Sequence, residues 1–323
     1  MNFNDFRLAA SLLLAVCAAT VNAQAYPDRP VHIVVPYGPG GTTDLVARII
    51  AEPLGRALGQ PVIVENKSGA GGALGTVAVA RASADGYTLG LGTVSTMVII
   101  PAGIQKPGYT QADFAPIANI AATPNIIAVH AGFPAKNGTE FIKLLKANPG
   151  KYSFATSGNG SINHMLGEAF QALSGTSILH VPYRGSGAAI NDVVAGQVPI
   201  LVDQFPSSKG FVDSGRLRIM GVIAPQRLSS YPDVPTFQEL GLQGFTDQAW
   251  YGLVAPIKVP ANVIAKLSDA MRQVMTSPDV RLRLEKAGAI PVGGTAAQFS
   301  NQMQTDLVAM RKLIQTRKIN LNE

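Results

Sequence analysis

The sequence predicts an α/β protein built as two lobes, and three observations carry that reading. Five short apolar runs are each followed by a Gly/Ser/Thr-rich turn and then a helical pattern. These βα units fall into two series, with the break near residue 126. The last 60 or so residues are helical in pattern and have no run of strands beside them to cover.

The first series starts with Val31–Val35, a continuous apolar run of the kind expected in a strand buried on both faces. Leu45, Val46, Ile49, Ile50, Leu54 and Leu58 then recur at helical spacing, and Gly59 with Pro61 stops the helix. A second strand is expected over 62–65, a helix over 72–82 and a third strand over 88–92. The βαβαβ order argues for a parallel sheet.

The second series has strands expected at 126–129, 152–155, 178–181, 198–202 and 217–223. Phe141, Leu144 and Leu145 mark one helix. Ser161 N-caps another that carries Met165, Leu166, Ala169, Phe170 and Leu173 and ends at Gly175. Further helices are expected over 186–195 and near 205–213.

A strand over 250–255 is followed by helical patterns over 260–276, 278–287 and 295–318, the last opened by capping-box spacing from Thr295 to Gln298. The economical solution is a return of the chain to the first lobe. The expected division is therefore residues 26–126 with 248–323 as lobe 1 and 127–247 as lobe 2, with a cleft between them.

Residues 1–25 read as a leader. An apolar stretch over 8–19 is too short to span a bilayer, and small-residue cleavage patterns follow at 21–25. Export to the periplasm is the expectation. Cys17 is the single cysteine, so the chain beyond the leader has no disulfide, thiolate nucleophile or Cys-ligated metal. The formal charge is +6, but the bases form no run, so a nucleic-acid partner is not expected. A modest positive field helps gather small anions.

Enzymatic and cofactor motifs are missing from the pattern. The glycines at 69, 71 and 72 fail a dinucleotide fingerprint because Leu74 stands where the third Gly belongs. His32, His130, His164 and His180 have no metal-binding spacing, and no nucleophile elbow is present. No catalytic residue, metal or cofactor is expected.

What remains is a set of turns at helix N-termini, where bare N–H groups and the helix dipole favour anions. In open α/β sheets, ligands sit beyond the carboxyl ends of the strands. A carboxylate gains about 0.3–1 kcal/mol from one helix end. Charge-assisted hydrogen bonds add about 1.5–3 kcal/mol each. Two or three such loops suffice for micromolar binding, about 8 kcal/mol. Three side chains have two readings each. His164 orders its loop or touches ligand. Asp203 meets a ligand donor or caps the next helix. Arg184 pairs with ligand or with a neighbouring acid.

The sequence from residue 26 onward resembles the substrate-binding proteins of tripartite tricarboxylate transporters, the Bug or TctC family. The resemblance rests on YPDRP at 26–30, VVPYGPGGTTD at 34–44, VENKSGAGG at 64–72, ADGYT at 84–88, HVPYRG at 180–185, PDVPT at 232–236 and PVGGT at 291–295. It implies a type II periplasmic binding protein, with two α/β lobes closing over a small carboxylate held by three loops and ordered water.

Carried over, the candidate ligand-binding residues are Tyr37, Gly38, Gly40, Gly41 and Thr42 in the first loop and Ser68, Gly71 and Gly72 in the second. Ser95 and Thr96 follow the third strand. The second lobe adds Ser157, Gly158, Gly160, Ser161 and His164, with Arg184 and Asp203. Two positions depart from the common pattern and are expected at the pocket edge: Met97, which leans toward a ligand with an apolar part, and Gln204. The implied function is a monomeric receptor that delivers a small organic acid to membrane transporter subunits. The alternatives are a ligand-presenting sensor for a membrane signalling system and an enzyme acting on a carboxylic acid.

Overall fold

A computed structural model describes residues 26–317. The expected leader, and Lys318 at the end of the last helical pattern, lie outside the described residues. The chain lays down β1 (Val31–Val35), α1 (Thr42–Leu58), β2 (Val62–Asn66), α2 (Ala73–Ala80), β3 (Thr88–Thr93), α3 (Ile100–Gly103) and β4 (Phe114–Thr123). One turn of π-helix, Ser95–Ile99, precedes α3. The second sheet is threaded as β5 (Asn125–His130), α4 (Gly138–Ala147), β6 (Ser153–Thr156), α5 (Ile162–Ser174), β7 (Leu179–Pro182), α6 (Ser186–Val194), β8 (Ile200–Gln204), α7 (Phe205–Asp213) and β9 (Leu217–Ile223). Then come β10 (Ala249–Pro256), α8 (Ala261–Thr276), α9 (Pro278–Lys286), β11 (Ile290–Gly294) and α10 (Ala296–Arg317).

The strands form two sheets, ordered β11-β4-β10-β3-β1-β2 and β7-β6-β8-β5-β9. Neither is wholly parallel, which corrects the expectation from the βαβ pattern. β10 enters the first sheet antiparallel to both β3 and β4, and β5 runs antiparallel to β8 and β9. The reversal has a topological cause. Only Pro124 separates β4 from β5, so β5 starts its sheet from a strand end and not from a crossover helix. Ile126, expected in lobe 1, therefore belongs to the second sheet.

Two strands were not expected. β4 is Ala-rich and contains Pro116, which sits where the register with β10 shifts, the place a sheet tolerates a residue without N–H. β11 holds Pro291, Gly293 and Gly294 and is an edge strand. α8 and α10 lie against β4, and α8 also lies against α1. Leu267 and Met271 of α8 and Phe299 of α10 are fully buried there, and Trp250 Nε1 of β10 donates to Asp306 of α10 at 2.8 Å.

The chain passes between the sheets at Pro124 and again before Ala249. The two passages are tied together: Asn125 Nδ2 donates to the Asp247 carbonyl at 2.8 Å. β1, β3, β6 and β8 all point their carboxyl ends, and antiparallel β10 its amino end, toward the space between the sheets.

Candidate functional site

α1, α6 and α7 begin beside that space. Their N-cap residues, Gly41, Gly185 and Gln204, make no side-chain capping bond. The first-turn N–H groups of α1 and α6 have no intrahelical partner, so these ends carry partial positive charge. At α7, Phe205 N donates to the Pro124 carbonyl, Pro206 has no N–H and Ser207 N donates to Thr42 Oγ1. α5 differs, because Ser161 Oγ accepts from His164 N at 3.2 Å and closes its own cap.

The lobes lie shut on one another. Gly38 N donates to the Arg184 carbonyl at 3.0 Å, and Ile162 N donates to Ser95 Oγ at 2.9 Å. A Cβ at Gly71 would overlap the Asn159 carbonyl oxygen, and one at Gly187 would overlap that of Pro39. Between these contacts lies a cavity of about 20 Å³, walled by both lobes. That is room for one water and not for an organic acid, so a ligand enters only when the lobes part.

Of the expected residues, Tyr37, Gly41, Thr42, Ser95 and Ser157 line this cavity. Tyr37 is the most telling. Its Oη is buried and has no hydrogen-bond partner among the described residues. Burial pushes its pKa up, while the nearby Ser95 and Thr93 hydroxyls act the other way. A buried hydroxyl without a partner is costly unless something else supplies one.

Gly38, Gly40, Gly71 and Gly158 serve by letting backbones meet. Gly40 faces Gly187 across the lobes, and Gly158 lies against Gly71 and the Tyr183 carbonyl. These four, like Gly72, hold the walls but do not line the cavity. Gly72 stands where a Cβ would press on Thr96 and Tyr37 in its own lobe. Ser68 is half-buried and also outside the lining.

Several of the expected residues lie outside the cavity lining. The Thr96 side chain is fully buried and bonded back to Thr93, and its carbonyl accepts from Tyr109 Oη at 2.6 Å. Gly160 faces Ile100 and Ile104, and Ser161 is fully buried outside the lining, its Oγ accepting from His164 N. Met97 is buried against Gly92, and Gln111 Nε2 donates to its carbonyl, so it does not edge the cavity. Arg184 reaches the site only through its backbone, because its side chain is exposed.

His164 takes the loop-ordering role. Its Nδ1 accepts from Gly160 N at 3.3 Å, and its ring stacks on His180 at 4.1 Å between centroids. His180 in turn bonds Thr156 Oγ1 at 2.7 Å and stacks on Phe154. Burial lowers the pKa of both rings; His180, which also faces His164, falls to about 3.

Asp203 lies outside the lining as well. It is fully buried behind the cavity wall. Asn163 Nδ2 at 3.0 Å and Ser186 Oγ at 2.5 Å donate to Oδ1; Ser207 Oγ at 2.6 Å and Ser208 Oγ at 3.1 Å donate to Oδ2. Burial raises its pKa above the ordinary carboxylate value, and these hydrogen bonds offset that only in part. Asp44, behind the first loop, is treated differently. Burial raises its pKa, but bonds from Arg48, Asn66 and Gly40 N outweigh that and hold it below the ordinary value.

The cavity also takes in Thr43, Thr93, Val94, Ile162, Ser186, Gln204, Ala249 and Tyr251. Gln204 was expected at the edge. Ser186 lay within a turn singled out by its glycines, and only its position at the start of α6 marked it. Tyr251 and Ala249 gave no signal, because they come from the returning strand. Among the described residues, no ionisable acid or base other than the tyrosines lines the cavity.

Two mixed sheets joined by paired crossings, with a polar cavity at the helix N-termini between them, define a two-lobe ligand-binding protein. The sequence profile of the tripartite tricarboxylate transporter family receptor, TctC, matches residues 46–320. The chain belongs to that family. BugT of Bordetella pertussis is 35% identical over 283 residues, 87% of each chain. Among solved structures, a periplasmic transporter is 41% identical, with a TM-score of 0.90 over 92% of this chain and 100% of that one. MatC from Rhodopseudomonas palustris with bound malate is 32% identical, with a TM-score of 0.85 over 90% and 100%. A second R. palustris protein, with adipate, is 30% identical, with a TM-score of 0.88 over 91% and 99%.

Proposed function

We propose that this chain is a periplasmic receptor that closes two lobes on a small organic carboxylate and hands it to the membrane subunits of a tripartite tricarboxylate-type transporter. One observation carries the reading. The interlobe cavity is walled by hydroxyls and by the uncapped N-termini of α1 and α6, while the two nearby carboxylates, Asp44 and Asp203, are buried behind it and saturated with donors. Such a wall attracts an anion without needing a cationic side chain. Malate in MatC and adipate in the second relative are ligands of the same chemical kind.

The test is a thermal-shift screen of the purified chain against mono-, di- and tricarboxylates, followed by calorimetry. A true ligand at 100 times its Kd adds about 2.7 kcal/mol of stability. Binding of neutral sugars or cationic amino acids with no response to any carboxylate overturns the reading.

A further inference from the structure

The hydrogen-bond polarity of the cavity wall narrows the ligand class, and this step rests on the reading of the cavity as a carboxylate site. An ionised carboxylate only accepts hydrogen bonds. Two side-chain donors turn on each Asp203 oxygen, Asn163 Nδ2 and Ser186 Oγ on Oδ1 and the Ser207 and Ser208 hydroxyls on Oδ2, and leave neither a place for a proton, so Asp203 fixes the direction of each of these bonds. Ser186 has one hydroxyl hydrogen, and it points at Asp203 Oδ1. What Ser186 Oγ shows to the cavity it lines is lone pairs.

The same logic sets two amides. Asn163 must turn its Nδ2 to Asp203, so its Oδ1 faces Gln204 and needs a donor there. Gln204 supplies that donor through Nε2. Its Oε1, an acceptor, is left over on a residue that lines the cavity. On the first lobe the balance is reversed. Ser95 Oγ already accepts from Ile162 N and keeps its hydrogen, and Tyr37 Oη is unpartnered.

The geometry points to a carboxylate that carries a hydrogen-bond donor of its own, a hydroxyl or an ammonium group, as the ligand, with Ser186 and Gln204 as the acceptors that select it and Asp203 as the residue that positions them. A plain dicarboxylate leaves the Ser186 acceptor buried without a partner. It also sets a carboxylate oxygen against lone pairs.

The experiment uses matched acids of three to six carbons. At each chain length the plain dicarboxylate is compared with its 2-hydroxy and 2-amino forms by calorimetry on the whole secreted chain. The expected result is that, at the chain length bound best, one substituted form binds at least tenfold tighter than the plain acid, about 1.4 kcal/mol. The hydroxyl and ammonium arms tell which donor is used. In Ser186→Ala that ratio falls toward one, while in Ser208→Ala, which touches Asp203 away from the cavity lining, it persists.

A plain acid bound as tightly as both substituted forms overturns the inference and leaves the carboxylate reading standing. So does a ratio that survives Ser186→Ala. Failure of every acid in the panel to bind overturns both. The wild-type ratios decide the matter even if a variant does not fold.

Discussion

Thr42 and Ser207, one from each lobe, share two hydrogen bonds. Thr42 Oγ1 donates to Ser207 Oγ at 2.8 Å, and Ser207 N donates back to Thr42 Oγ1 at 3.1 Å. Ser207 Oγ passes its own hydrogen to Asp203 Oδ2 at 2.6 Å. The first loop of lobe 1 is thus wired to the buried carboxylate of lobe 2 only while the lobes are shut. The shut cavity has room for one water, so an organic acid and this contact exclude one another, and the contact favours the empty, shut arrangement over the ligand-bound one.

Thr42→Val keeps the shape of the side chain and removes both bonds. Each is worth about 0.5–1.5 kcal/mol. The substitution frees the lobes to part, so the affinity for the best carboxylate should rise by up to about tenfold, roughly 1.4 kcal/mol. The melting temperature without ligand should fall, because both bonds belong to the empty, shut arrangement. Calorimetry with solution scattering checks this; equal affinity in the variant would remove the contact from the closing mechanism.

Gly187→Ala separates folding from closure. Gly187 lies inside α6 with no positive φ, so alanine favours the helix by about 0.5–1 kcal/mol. Yet the new Cβ would overlap the Pro39 carbonyl oxygen across the cleft. The variant should unfold at the same or higher denaturant concentration and, with the empty, shut arrangement disfavoured, bind ligand at least as tightly as the wild type. A large loss of affinity would mean that ligand is held with the lobes shut to this separation.

The strand–helix order of both lobes was legible because each buried strand is a bare apolar run and each helix has a full periodic face. β4 was not, since an Ala-rich strand with Pro116 gives no alternation and its pairing with the distant β10 leaves no local trace. The site was half legible. Turns such as 38–42 show where backbone is bare, but not which hydroxyl hydrogens are already spent. Ser161 and Asp203 look like ligand groups in sequence, but Ser161 is fully buried behind its own helix cap and Asp203 is saturated by internal donors.

Arg184 illustrates the same limit. It follows a cleft-forming turn and carries the charge a carboxylate would want, but only its carbonyl faces lobe 1. Arg184→Ala should therefore change the ligand binding free energy by no more than about 0.5 kcal/mol, as for other exposed substitutions. A loss of tenfold or more, measured by calorimetry at physiological salt, would return the guanidinium to the site.

The stacked histidines make the second-lobe loop sensitive to acid. His180 Nε2 and Thr156 Oγ1 share a hydrogen bond, and burial favours the neutral ring. His164 Nδ1 accepts from Gly160 N, which requires a lone pair, while its Nε2 stands 4.0 Å from Glu168. Protonating His164 at Nδ1 breaks a bond that shapes the loop bearing Ser157, and protonating His180 sets a charge in a half-buried site stacked on His164. The sign follows from linkage. His180 falls to about 3 in the fold, chiefly through burial, against an ordinary value of 6.5. The unfolded chain therefore binds the extra proton first, and stability is full above 6.5 and declines as pH falls from there toward 3. Denaturant midpoints measured from pH 7.5 down to 4 should drop steadily in the wild type. His180→Gln, which retains an acceptor for Thr156 but has no proton to gain, should start lower at pH 7.5 because the ring stacking is lost. Its acid slope should be shallower. Parallel slopes in the two proteins would assign the acid sensitivity to carboxylates elsewhere, and ligand affinity that holds constant over the same range would detach the histidine pair from the binding loop.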